Sequence, residues 1–179
     1  MVPVCCYRLC PGIFHSFPKR ICMAAEITIR PGKPEDLPEL QQLFRNTILS
    51  VCRTDYTAEQ TRAWASGIEN ESRWQNVMGG QFVVIAEEKE KITGFCTLLN
   101  YNHIDLLFVH HRYQRQGIAR KLYGMAEKEA INNGQTRLTA NVSKTAKPFF
   151  EQCGFRTVKE QVIFVKGTEL TNYVMTKTL

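Results

Sequence analysis

The chain has 179 residues, 44% of them hydrophobic and 22% charged, with a net charge of +6. That size and composition suit one globular domain with a real core, and no uninterrupted apolar run approaches the ~18 residues of a membrane-spanning helix. The charge falls to +3 once Arg8, Lys19 and Arg20, which precede Met23 with no acid among them, are set aside, too weak a field to mark a nucleic-acid surface.

Residues 1–22 do not follow a domain pattern. Four of the seven cysteines fall there, and prolines interrupt every apolar run before a secretory segment of about 7–15 residues can form. The cysteines lack the paired C-x-x-C spacing of a zinc site. Residues 1–22 are therefore read as an extension outside the domain, which spans 23–179 and opens with Met23-Ala24-Ala25-Glu26. Cys52, Cys96 and Cys153 are scattered, as free thiols in a reducing cytoplasm are, and no metal is expected.

A first strand, Ile27 to Arg30, runs into R-P-G-K-P-E-D-L-P-E-L, the opening of a helix. Tyr56 to Ala65 follows, with Trp64 at helical spacing from Gln60 and Ile68; Tyr56 and Trp64 either wall a pocket or fill the core. Strands at Phe82–Glu87 and Ile92–Leu99 flank E-K-E-K, and His103–Val109 reads as a third. His103 and Asp105 share a pleat face by the period of two, unless a bulge intervenes.

Next comes Gln114-Arg115-Gln116-Gly117-Ile118-Ala119 and a helix from Gly117 to near Asn133, with Ile118, Leu122, Met125, Ala126 and Ala130 at helical spacing. Gly134 stands at the C-terminal cap. A strand that delivers a basic, glycine-bearing turn onto a helix N-terminus is a device for holding phosphate: the first amides have no intrahelical acceptor and the dipole adds positive charge. Gly117 lets the backbone approach the ligand. Arg112, Arg115, Arg120 and Lys121 surround the turn, and arginine grips phosphate oxygens in pairs. Neither the dinucleotide fingerprint nor the Walker loop is present. A short helix over A-K-P-F-F-E-Q-C-G-F (Ala146 to Phe155) follows. Ile163–Val165 and Tyr173–Met175 read as the last two strands, joined across K-G-T-E. Local hairpins combined with one strand-helix-strand crossover predict an α/β fold with a mixed, mostly antiparallel sheet of about six to seven strands and helices on both faces.

The string Q-R-Q-G-I-A after its strand resembles the acetyl-CoA pyrophosphate loop of the GNAT superfamily of N-acyltransferases. The likeness covers roughly Ile27 to Lys177. It takes in Gly94-Phe95 and A-K-P-F-F-E-Q-C-G-F; Y-T-A-E-Q, I-D-L-L-F-V and T-N-Y further resemble the YafP-like subgroup. The resemblance implies an acetyl-CoA-dependent N-acetyltransferase. Arg115, Gln116, Gly117, Ile118, Ala119 and Arg120 would bind the coenzyme, with a backbone amide of the strand ending at Phe108 and Val109 meeting the thioester oxygen. Ser143 stands where many relatives place an asparagine, and Phe150 where many carry a tyrosine acid.

Phe150 has no proton to give, so Tyr173 is the candidate acid, or else it only packs with its hydroxyl at the rim. The loss is tolerable. Protonating a leaving thiolate is worth about 2 kcal/mol at neutral pH, whereas deprotonating a lysine-type amine costs about 4–5 kcal/mol. For that base the candidates are His103 and Asp105. The expected acceptor is a small-molecule amine bound near Tyr56 and Trp64, with no nucleic-acid or membrane partner. The alternatives are acetylation of a protein lysine or N-terminus, and a catalytically silent acyl-CoA-binding module.

Overall fold

The computed structural model describes residues 26–179; the extension expected over 1–22 lies outside the described residues. The element order is β1 (Thr28–Pro31), α1 (Leu37–Val51), α2 (Ala58–Ala65), α3 (Glu71–Gly80), β2 (Phe82–Glu88), β3 (Lys91–Leu99), β4 (His103–Val109), α4 (Ile118–Asn132), β5 (Arg137–Ser143), α5 (Lys147–Gln152), β6 (Arg156–Val165) and β7 (Thr168–Thr178). The strands form one sheet in the order β1-β2-β3-β4-β5-β7-β6. Every neighbouring pair is antiparallel except β4–β5, which is parallel. The mixed, mostly antiparallel sheet expected from the sequence is the observed architecture.

Local chemistry explains several boundaries. The string Y-T-A-E-Q is a capping box: Thr57 accepts from the Gln60 amide and the Gln60 side chain returns to the Thr57 amide, which starts α2. Two hairpins turn on two residues with positive φ, Lys89 and Glu90 between β2 and β3, and Lys166 and Gly167 between β6 and β7, the geometry that matches strand twist. That second turn corrects the expected final strands. They are longer than Ile163–Val165 and Tyr173–Met175, and only Lys166 and Gly167, not K-G-T-E, connect them. The apolar alternation that marks an inner strand is missing from β6 because it is an edge strand, largely exposed along its length.

The sheet separates two apolar layers. On one face α4 and α5 pack through Ile118, Leu122, Ala126, Phe149 and Phe150 onto Cys96, Ile104, Leu107, Val109 and Val142. On the other, α1 to α3 pack through Leu40, Phe44, Ile48, Trp64 and Trp74 onto Ile85, Phe95, Leu106, Phe108 and Leu170. Along β4 the strict alternation breaks once. Leu98 opposes Ile104 while Thr97 opposes Leu106, so Asp105 is an extra residue without a partner in the ladder, and the bulge bends β4 there.

Candidate active site

β4 and β5 pair over only two residues, His103 with Thr139 and Ile104 with Ala140. Beyond the bulge the strands part. The Leu106 amide donates to Thr97 Oγ1 at 3.1 Å and the His110 amide to the Thr93 carbonyl at 2.8 Å, both on the β3 side. By the period of two, the amides of Leu107 and Val109 point the other way, into the wedge between β4 and β5. Of the two residues expected there, Val109 faces the wedge. Phe108 does not: its amide turns to β3 and its ring packs against Phe44 and Phe95 at centroid distances of 4.9 and 5.7 Å.

The wedge opens toward the turn before α4. Arg115 has φ 64°, and Gly117 adopts φ 79° and ψ 0° as the residue preceding the helix, with no side chain capping it. The first helical bond runs from the Lys121 amide to the Gly117 carbonyl at 3.0 Å, and the amides of Ile118, Ala119 and Arg120 have no acceptor among the described residues. Donors left this way at a helix N-terminus are matched to an anion. An open pocket of about 480 Å³, mouth included, lies over them. Val109, Arg115, Gly117, Ile118, Ala119 and Arg120 all border it, together with Phe149 from α5. Gln116 is not part of its wall; its side chain reaches the Arg112 carbonyl at 3.5 Å.

On the α1–α3 face, His103 Nδ1 lies 2.8 Å from Thr139 Oγ1, and Nε2 has no protein partner among the described residues. Burial pushes the imidazole below its ordinary pKa, with Asp105 opposing and Arg73 adding to the shift. The ring is therefore neutral at pH 7, the state a base requires. Asp105 shares that face despite the bulge, but both of its oxygens are occupied: Arg73 Nη2 donates to Oδ1 at 3.0 Å and Gln81 Nε2 to Oδ2 at 2.9 Å. With both oxygens engaged and its side chain 2% exposed, Asp105 ties β4 to α3 and is not open to an incoming amine.

The sequence pattern described as the acetyltransferase (GNAT) domain matches residues 52–177. The chain belongs to the GNAT family of acetyltransferases. It is 34% identical over 149 residues to the uncharacterized N-acetyltransferase YafP of Escherichia coli K12, covering 83% of this chain and 94% of that protein. Among solved structures, a GCN5-related N-acetyltransferase of Rhodopseudomonas palustris superposes with a TM-score of 0.82 at 32% identity, over 85% of this chain and 95% of that one. The PaiA N-acetyltransferase of Thermoplasma acidophilum, solved with coenzyme A, shares the fold with a TM-score of 0.70 at 18% identity, over 86% and 99% of the two chains.

Several expected site residues of this GNAT domain sit elsewhere. Phe150 is fully buried, edge-on to Phe149 and Phe155 at 5.7 and 5.0 Å, and it is Phe149 that borders the pocket. The Ser143 hydroxyl is taken up inside a turn, accepting from the Ala146 amide at 3.1 Å. Trp64 is fully buried in the α1–α3 layer and meets the Tyr56 ring at 5.5 Å. The Tyr56 hydroxyl ties the Thr171 carbonyl to the Lys144 amide at 2.8 and 2.9 Å. These two aromatics are core and cross-link, not an open wall.

Tyr173 packs on the α4–α5 face, opposite His103, with Lys147 Nζ 4.2 Å above its ring. Burial and Glu160 raise its pKa. Sequence reasoning missed Leu107, Phe149, Arg73 and Gln81. The adjacent Phe149 and Phe150 gave no way to tell their faces apart, and Arg73 and Gln81 reach Asp105 only through long-range packing. Cys52, Cys96 and Cys153 are buried and free, with Cys153 pushed up to about 11 by burial, so it is not a reactive thiol.

Proposed function

We propose that this GNAT domain transfers an acetyl group from acetyl-CoA to the amine of a small molecule by direct attack within a ternary complex. The observation that carries the reading is the row of unpaired amides, Ile118 to Arg120, opening on a pocket at the end of a wedge already lined by the Leu107 and Val109 amides. The α4 donors and the flanking Arg115 and Arg120 fit a diphosphate. The wedge amides fit a carbonyl that gains negative charge. When bound, acetyl-CoA supplies an activated acyl group.

The chain's own residues do the rest. His103, neutral and with Nε2 free, accepts a proton from the incoming amine; Tyr173, a phenol that keeps its proton at neutral pH, is the candidate donor to the leaving sulfur. Overall, the amine nitrogen forms one amide bond as the thioester bond breaks; one of the ammonium's protons ends on the thiol and one passes to solvent. The buried, unoxidised thiols suit a cytoplasmic protein.

Isothermal titration with acetyl-CoA tests this directly. Saturable micromolar binding is expected, and no heat at high micromolar concentration would remove the proposal. A second reading is a silent acyl-CoA-binding module, favoured by a buried phenylalanine at position 150. Steady CoASH release with a panel of amines excludes it.

A further inference from the structure

Thr93 and Thr97 of β3 are both fully buried, yet their hydroxyls are used in different ways. Thr93 Oγ1 donates to the Ala86 carbonyl of β2 at 3.1 Å, an ordinary way to satisfy a buried hydroxyl. Thr97 Oγ1 instead accepts, from the Leu106 amide of β4 at 3.1 Å. That bond sits at the bulge, where the register shifts between Thr97 and Leu98 and Asp105 has no partner in the ladder. A bulge disrupts the backbone pairing around it, and here a hydroxyl on the neighbouring strand supplies the acceptor. The bulge is held from another direction too, because Arg73 and Gln81 occupy the Asp105 oxygens. Immediately beyond it stands the Leu107 amide, which faces the wedge. Only the φ and ψ of Leu106 separate the peptide plane that carries the Leu106 N–H from the one that carries the Leu107 N–H. Fixing the first therefore aims the second.

We propose that Thr97 is a positioning residue for acyl transfer: by accepting the Leu106 amide it holds the bulge in the phase that turns the Leu107 amide onto the thioester carbonyl. This role rests on the acetyltransferase reading above and names what aims its wedge donor. Without the hydroxyl, the Leu106 amide is a buried donor deprived of its acceptor, which β4 relieves by turning. A donor aimed at a developing oxyanion is worth about 10²–10³ in kcat, and that worth depends on its direction. The coenzyme's diphosphate is matched to separate donors, the amides of Ile118 to Arg120 on α4. Loss of the Thr97 hydroxyl therefore acts on the carbonyl contact and spares the affinity for the coenzyme.

The test reads the thioester carbonyl itself, by isotope-edited infrared spectra of the full chain saturated with acetyl-CoA that carries a heavy-isotope label at the carbonyl carbon. A hydrogen bond at the oxygen lowers the stretching frequency, so the bound thioester should absorb below the free one. In Thr97→Val, which keeps the shape and the methyl group but has no acceptor, most of that lowering should be lost. Thr97→Ser keeps the hydroxyl and should keep the lowering. CoASH affinity, measured by titration, should stay within about threefold of the unaltered chain in both variants, which also reports folding. Thr97→Cys carries a weaker acceptor and should fall between them, so its contrast with Thr97→Ser decides the matter if the valine variant does not fold. A Thr97→Val spectrum like that of the unaltered chain overturns the role, as does a Thr97→Ser spectrum displaced as far as the valine one, which would assign the effect to the methyl group. So does a Thr97→Cys spectrum identical to the serine one when the valine variant is unfolded, or a CoASH affinity that falls in step with the carbonyl signal. Each of these leaves the acetyltransferase reading standing. Bound acetyl-CoA with no lowering in the unaltered chain overturns the role together with the wedge contact, and failure of acetyl-CoA to bind removes both proposals.

Discussion

At Gly117 and His103, conformation and burial decide what each residue can do. A Cβ on Gly117 would meet no heavy atom within 4 Å, but the residue sits at φ 79°, where an L side chain costs roughly 1–2 kcal/mol. Gly117→Val is therefore expected to fold with a lowered Tm. Its branched side chain, beside the free amides, should weaken acetyl-CoA binding by about tenfold or more. Titration and thermal unfolding of the same sample separate the two effects, and normal affinity would contradict the role assigned to the turn.

His103 carries a pH prediction whose sign follows from its environment. Burial lowers its pKa, so the imidazole loses its proton below its ordinary value of about 6.5 and is already neutral above it. If His103 is the base proposed above, it is competent at pH 7, and the acid limb of kcat/KM should have its midpoint below about 6.5. In His103→Gln that limb should vanish and the rate should drop on the order of 10²-fold. An unchanged limb in the variant would assign the ionisation to another group.

Between elements, the position of α4 on the sheet is what aims the unpaired amides at its N-terminus. That contact is close at Gly94 on β3, where an added Cβ would lie 2.9 Å from the Phe108 carbonyl oxygen, 3.1 Å from Leu122 Cδ1 and 3.2 Å from Ile118 Cγ2. The backbone oxygen cannot step aside, so the helix must move. Gly94→Ala is expected to cost about 1–3 kcal/mol of stability and, because Ile118 is the first residue of α4, to weaken acetyl-CoA binding too. Denaturant unfolding together with titration checks both; a loss of stability with unchanged affinity would show that α4 keeps its aim by tilting elsewhere. The bulge at Asp105 acts at the same scale. It puts Asp105 and Leu106 on the α1–α3 side of the sheet and returns the side chains of Leu107 and Val109 to the α4–α5 side.

For the whole molecule, the single sheet is continuous at one end and split at the other, and the split runs between its two halves, β1–β4 and β5–β7. A ligand seated in that split bridges both halves and binds the folded state alone. At a hundred times its Kd, acetyl-CoA should stabilise the protein by roughly 2.7 kcal/mol, read as a concentration-dependent rise in Tm. A Tm that does not move at high concentration would show that acetyl-CoA does not bind the folded state. No helix among the described residues is long and apolar enough to cross a membrane.

Much of this was legible in the chain because the signals are short-range. The strand His103–Val109, the glycine-bearing turn, the helix after it and its Gly134 cap, found at φ 73°, all depend on residues within a few positions of one another. Propensity, capping and periodicity act over that distance. The functions of Phe108, Phe150, Tyr56 and Trp64 were not legible, since each depends on which side of the sheet or helix a side chain takes. Phase is set by pairing with distant strands, and one bulge shifts it for every residue beyond. The amino-acid sequence by itself determined the glycine-bearing turn onto the α4 N-terminus and the order of elements. Only the tertiary structure decided that the Leu107 amide faces the wedge, that Phe149 borders the pocket, and that Arg73, 32 residues before Asp105, neutralises it: those contacts form only when long-range packing brings separate elements together.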